Sequence, residues 1–187
     1  MKKILTLLAC TTLGASALTG CASYTAKQAK TETVNVYAVD RQNFVSAHGI
    51  GVRVGTLRLS DSPEGLRIKT HLYGLLPGVH GWHIHEKYSC SSAVKDGQLV
   101  PALAAGGHFN PTQVAHHGSP TTGHLGDLPV LTIDAKGRSS ETLIAPRLKL
   151  ADIHQRAIVI HAGGDNYADE PLPVGGGGER VACGLIY

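Results

Sequence analysis

His80-Gly81-Trp82-His83-Ile84-His85-Glu86 is the stretch on which the organisation of this chain turns. Residues two apart in a β-strand project to one face, so an extended backbone here sends His83 and His85 one way and Ile84 the other. Two neighbouring imidazoles make half of a metal site, and copper, zinc, iron and nickel all accept histidine nitrogen. A lone His-X-His pair is more often a surface accident. This one is followed by Gly107-His108-Phe109-Asn110-Pro111, His116-His117, His124-Leu125-Gly126-Asp127 and Ile160-His161. Metal-ligating side chains are concentrated here, and the flanking sequence reads as their frame.

Working outward, the frame is a series of short strands. Residues 34–39 alternate, and residues 51–59 form a second strand with Gly55 at a candidate bulge. Ser62-Pro63-Glu64-Gly65 is a turn. Residues 66–72 place apolar or neutral side chains on one face and charged ones on the other. Leu76-Pro77-Gly78 turns the chain into the His83 strand. Strand pattern returns at 128–133, followed by the turn Asp134-Ala135-Lys136-Gly137 and a strand at 140–144. A short helical turn is predicted at 150–154. Residues 157–161 are apolar and β-branched, as in a buried strand, and 181–187 form the last one. Between them, 86–126 and 162–180 show no persistent period. Loops of that length are usually functional or disordered, and Cys90 with several candidate ligands predicts order for the first. With 23 glycines and 9 prolines in 187 residues, the pattern predicts one all-β domain. It is a sandwich or flattened barrel of about eight antiparallel strands with two long ordered loops. The run Gly175 to Gly178 lacks the lysine and helix of a phosphate-binding loop, and is read as a turn that lets backbone approach the site.

The N-terminal segment is expected to be processed. Lys2 and Lys3 precede an apolar stretch, 4–18, too short for a confident membrane span. It ends in Leu18-Thr19-Gly20-Cys21, which resembles a bacterial lipobox. Residues 1–20 are therefore predicted to be a lipoprotein signal peptide, Cys21 the lipid-bearing residue and 21–32 a flexible tether to a domain over 33–187. An ordinary secretory signal cut near Ala22 is the alternative. Ala22 is not the aspartate associated with inner-membrane retention, so the default is a periplasmic domain anchored to the outer membrane through lipid alone. Without Lys2 and Lys3, 15 basic residues face 14 acidic ones, which argues against a nucleic-acid surface. Once Cys10 and Cys21 are assigned to the signal and the lipid, Cys90 and Cys183 remain, and in an oxidising compartment they should pair. Closing that loop stabilises by about 4–5 kcal/mol at most on the chain-entropy account.

Five motifs in order, together with both cysteines, resemble the copper/zinc superoxide dismutases of the bacterial exported type. They are Gly81 to Glu86, Gly106 to Pro111, His124 to Pro129, His161 to Asn166 and Gly177 to Gly184. The resemblance spans about residue 33 to Tyr187 and implies a Greek-key β-barrel. It implies copper at His83, His85, His108 and His161, and a structural zinc at His108, His117, His124 and Asp127, with His108 bridging the two. Pro120, three residues beyond His117, matches the family's spacing and selects His117 over His116. By the same resemblance Asp165 links His83 to His117, and Arg180 draws the anionic substrate in. Trp82 stands where the family usually has phenylalanine, a swap that requires a partner for the indole N–H.

The implied activity is dismutation of superoxide to dioxygen and hydrogen peroxide by a copper redox cycle, protecting the cell envelope from extracytoplasmic superoxide. His108 is the proton-carrying residue and Arg180 the anion-binding one. Lys87 and Lys95 are steering residues or plain loop lysines. His48, His71, His80, His116 and His154 match no ligand position. A non-catalytic copper-holding module on the same fold is the rival; retention of every ligand and of Arg180 favours the enzyme. Monomer and homodimer both stay open.

Overall fold

The computed structural model describes residues 30–39 and 51–187. The expected signal segment, Cys21, most of the tether and His48 lie outside the described residues. Eleven strands are described: β1 (Thr31–Ala38), β2 (Arg53–Ser62), β3 (Gly65–Leu72), β4 (Gly78–His80), β5 (Trp82–His85), β6 (Ala93–Lys95), β7 (Gln98–Val100), β8 (Leu131–Ile133), β9 (Thr142–Ala145), β10 (Arg156–His161) and β11 (Arg180–Ile186). Seven form one antiparallel sheet in the order β5-β10-β11-β1-β2-β3-β9, while β4 pairs with β8 and β6 with β7. Spatial neighbours such as β1 and β11 are far apart in sequence, which is the Greek-key arrangement, here curled into a barrel.

The periodicities explain the elements. In β3, Leu66, Ile68, Thr70 and Leu72 are buried while Arg67, Lys69 and His71 are exposed. The β2–β3 turn closes with Ser62 opposite Gly65. The β1–β2 register shifts between Val36, opposite Gly55, and Tyr37, opposite Arg53. Val54 is thus the extra residue of a bulge next to Gly55. The predicted helical turn is a short 3-10 turn at Leu150–Ile153.

Two expectations need correction. Thr31 and Glu32, assigned to the tether, already pair with Ser60 and Leu59. The stretch 86–126, expected to lack strands, contains the β6–β7 hairpin and a 3-10 turn at Leu103–Ala105. The hairpin turns on Asp96-Gly97, both at positive φ, the backbone that an Asp-Gly two-residue turn requires.

The core has two compartments. The barrel interior holds Val34, Val36, Leu57, Leu59, Leu66, Ile68, Trp82, Ile84, Ile158, Ile160 and their neighbours. A smaller cluster of Val39, Cys90, Ala102, Ala105, Ala157, Val159 and Cys183 packs on the outside of the sheet. Strand β10 alternates between them, with Ile158 and Ile160 inward and Ala157 and Val159 outward. That is why its sequence is continuously apolar. Ile158, Val159 and Ile160, all buried, contribute about 1.5–3 kcal/mol each. Register then fixes the site. His83 lies opposite Val159 and His85 opposite Ala157, so both imidazoles face the outer side of the barrel, beneath the long loops.

Candidate metal centre

Backbone hydrogen bonds on one residue bring the loops to β5. Ile84 N donates to Gly126 O at 2.9 Å, Phe109 N donates to Ile84 O at 2.8 Å, and Gly126 N donates to Phe109 O at 2.8 Å. This three-way clasp sets His108 beside His85 and Asp127 beside His83, and both pairs form isolated bridges. A Cβ on Gly126 would stand 2.3 Å from Ile84 O, so no larger residue fits the clasp. His161 arrives from the end of β10, where its N–H donates to Gly81 O at 2.8 Å.

The result is a closely packed cluster of imidazoles. One ligand atom from each of His83, His85, His108 and His161 lies within 4.8 Å of all the others, and the same is true of His83, His108, His117 and Asp127. The His108 ring stacks on His83 with centroids 3.8 Å apart, and lies 5.2 Å from His85, 5.4 Å from His117 and 5.6 Å from His124. It therefore sits between the two halves. His124 is at the edge, with Nδ1 3.6 Å from Asp127 Oδ1. His116 and His117 part company. The His117 side chain is fully buried, whereas His116 is 82% exposed and donates from Nδ1 to Asp169 Oδ2 at 3.0 Å.

Four of the buried rings are held at one nitrogen by a carboxylate or a backbone carbonyl. His83 Nε2 donates to Asp165 Oδ2 at 2.9 Å, and His117 Nε2 donates to Asp165 Oδ1 at 2.8 Å. His85 Nδ1 donates to Gly106 O at 2.9 Å, and His161 Nδ1 donates to Gly178 O at 3.3 Å. The opposite nitrogens are His83 Nδ1, His85 Nε2, His161 Nε2, His117 Nδ1 and, on the next ring, His124 Nδ1. All five are buried; His117 Nδ1 and His124 Nδ1 lie 3.0 Å and 3.6 Å from the Asp127 carboxylate, and His83 Nδ1, His85 Nε2 and His161 Nε2 have no partner at all. Buried polar atoms are rarely left so. Back nitrogens that donate to carboxylate or carbonyl, with front lone pairs turned to a common centre, are the arrangement of metal-bound histidine. The donor set suits copper and zinc, which take imidazole nitrogen, and it includes one carboxylate, Asp127.

The electrostatics agree. Burial pushes His83 down to about 4, helped by the neighbouring His108 and only partly offset by Asp165, and pushes His161 down to about 3. Burial also drives His85 well below the usual range. These rings are neutral at physiological pH, as ligands must be. His117 goes the other way: burial opposes its charge, but hydrogen bonds to Asp127 and Asp165 raise it to about 9. Burial would raise both carboxyls, yet His108 and His117 hold Asp127, and His117 and His83 hold Asp165, far below the usual range.

The remaining residues expected at the site are close by. Half-buried Arg180 lies opposite His161 and donates from Nη1 to Ala102 O at 2.5 Å and from Nη2 to Gly106 O at 2.7 Å. One carbonyl, Gly106 O, thus holds both His85 and Arg180. Cys90 and Cys183 form a disulfide with Cα atoms 5.8 Å apart, which ties this loop to β11. In the glycine run, a Cβ on Gly175 would stand 2.1 Å from Asp165 Oδ1 and 2.8 Å from His117 Nε2, at φ +75°. Backbone does come that close. The Trp82 indole donates to Pro129 O at 2.5 Å, so the required partner exists. Lys87 and Lys95 are exposed. One residue was undervalued. His80, set aside as matching no ligand, is buried and its ring spans His161 O and Leu76 O, both at 2.8 Å. Its place inside the organising stretch was the available signal.

The sequence profile of the copper/zinc superoxide dismutases (SODC) matches residues 53–186, most of the chain. The chain belongs to the copper/zinc superoxide dismutase family. A copper/zinc superoxide dismutase of Brucella abortus is 54% identical over 140 residues, covering 74% of this chain and 81% of that protein. The solved Brucella abortus enzyme superposes with a TM-score of 0.79 at 49% identity, over 84% of this chain and all of the other. The monomeric copper, zinc superoxide dismutase from Salmonella enterica gives 0.72 at 45% identity, again over 84% of this chain and all of the other. The chain is accordingly an oxidoreductase, a superoxide dismutase, and its metals are copper and zinc.

Proposed function

We propose that this family member removes superoxide in the periplasm, holding copper at His83, His85, His108 and His161 and zinc at His108, His117, His124 and Asp127. The observation that carries the division is the set of five buried ring nitrogens, three without a partner on the copper side and two beside the Asp127 carboxylate on the zinc side. When bound, copper supplies the one-electron oxidation and reduction that turn two superoxide ions and two protons into dioxygen and hydrogen peroxide. The chain supplies the rest. Asp165 joins His83 to His117 and so fixes the two halves relative to each other. His108 Nδ1 is turned to Asp127, so His108 Nε2 is the atom that carries a proton to the product. Arg180, fixed through Gly106 O and beside His161, holds the substrate anion by charge and hydrogen bonding.

Export and a lipid anchor at Cys21 complete the proposal, with residues 1–20 as signal and the segment after Cys21 as tether. The disulfide between Cys90 and Cys183 favours an oxidising compartment. One chain contains every residue of the proposed site, so the reading needs no second subunit. Two variants of the mature protein test it, with metal content and superoxide consumption measured together. H161A is expected to lose copper and activity while keeping zinc. D127A is expected to lose zinc while keeping copper. Either variant retaining both metals overturns the division. Tight copper binding by the parent without superoxide consumption overturns the catalytic reading.

A further inference from the structure

We propose that Arg147 is a positioning residue for zinc, a clamp on the outer side of the loop that holds His124 in place for the metal. The inference rests on the zinc assignment above.

The loop that contains His117, His124 and Asp127 has no strand of its own, so its backbone polar groups need other partners. On the inner side Asp127 Oδ2 accepts from Gly118 N at 3.1 Å and from His124 N at 2.8 Å. Between them the chain turns on Ser119, whose carbonyl accepts from Thr122 N and Gly123 N. Three carbonyls at the outer end of this turn go to one side chain. Arg147 Nε donates to Pro120 O at 2.7 Å, and its Nη2 donates to Gly123 O and to His124 O, both at 2.8 Å. His124 is therefore gripped at its N–H by Asp127 and at its carbonyl by Arg147.

The clamp is mounted on the barrel wall. Arg147 follows β9 and precedes Leu148, which is 1% exposed within the barrel core, and Leu148 N donates to Ala145 O. The turn has little room to drift, because a Cβ on Gly123 would stand 2.2 Å from Asp127 Oδ2 and 2.3 Å from Gly118 N. A planar guanidinium reaches three carbonyls at once, which a lysine ammonium does not match in geometry. Arg147 acts through the backbone of His124 and touches no ligand atom. Sign separates geometry from charge. A cation near a bound dication repels it, so losing the charge alone would tighten zinc binding. Losing the clamp loosens it.

The test uses the mature protein loaded with both metals, at neutral pH and far below its Tm. Zinc transfer to a chromogenic chelator is timed, and the visible spectrum of cobalt(II) placed in the zinc site is recorded. R147A is expected to release zinc at least tenfold faster and to alter the cobalt bands, with R147K in between. K149A is the control. Lys149 lies in the same segment but donates to Ser62 O, and its release rate is expected to match the parent. Parent-like or slower release from R147A overturns the proposal, as does equal acceleration in K149A. Should R147A fail to fold, R147K decides, and a rate within twofold of the parent overturns the clamp. H124A tests the underlying assignment separately. It is expected to lose the cobalt bands, and if it keeps them the zinc assignment falls and the clamp with it.

Discussion

A buried imidazole held at its back nitrogen has one chemistry left, and its pKa records what surrounds the other side. His83 and His161 are pushed down to about 4 and about 3, chiefly by burial. Lowered groups of this kind favour the folded state above their unfolded value of about 6.5, and that stability is lost as pH falls through the folded value. His117 is raised to about 9. Its contribution is complete below 6.5 and is lost as pH rises through 9. Metal-stripped protein is therefore expected to show a dome of Tm against pH. The acid limb comes from His83 and His161, steepened by protonation of Asp127 and Asp165, and the alkaline limb from His117. Thermal melts from pH 3 to 10 check this, and H117Q should lose the alkaline limb. At this scale much was legible. The period of two fixed the direction of His83 and His85, and family spacing pointed to His117, where the structure puts a buried ring and leaves His116 in solvent. The roles of His80 and Arg147 were not legible. Both act on carbonyls of residues remote in sequence or across a turn, and a backbone acceptor leaves no side-chain signature.

Among the elements, the disulfide has the widest reach for its size. Cys90 and Cys183 are separated by 93 positions and join the loop after β5 to β11. That loop contributes Gly106 O, the common acceptor of His85 and Arg180, while β11 contributes Arg180 itself. C90S is expected to lower Tm by on the order of 10 °C from the lost cross-link. It is also expected to reduce superoxide turnover beyond the loss of folded protein, because Arg180 and its acceptor are no longer fastened together. Melting curves and activity per bound copper separate the two effects. Strands with a buried face, β3 and β10 above all, were readable from alternation or continuous apolarity. The β6–β7 hairpin was not, because three-residue strands are too short for a period and Val94 and Lys95 are exposed. Its one signal was the dipeptide Asp96-Gly97. The start of β1 escaped for a similar reason, since Thr31, exposed, and Glu32, half-buried, are polar residues held by backbone pairing with β2.

For the whole molecule, metal and fold are one equilibrium. A ligand bound only by the folded state stabilises it by about 4 kcal/mol when present at a thousandfold excess over its Kd. Two metals on this cluster of buried ring nitrogens should therefore dominate the stability of the protein. Chelator stripping at neutral pH is expected to lower Tm by on the order of 10 °C or more. Zinc alone should restore part of the loss and copper the remainder, read by calorimetry. An unchanged Tm after verified stripping would contradict this. The barrel itself was legible from strand count and turn residues. Its pairing order was not, because β11 and β1 meet through contacts that local periodicity does not encode.

That pairing order has a consequence for how the enzyme comes into being. The last of the described strands in chain order, β11, lies between β10 and β1 in the sheet, and it brings both Arg180 and Cys183. A chain emerging from its N-terminal end cannot insert this interior strand, tie its cross-link or bring Arg180 beside His161 until β11 has emerged. Closure of the sheet is thereby postponed until β11 is made, and a polypeptide caught midway has neither its cross-link nor Arg180 at the cluster of imidazoles.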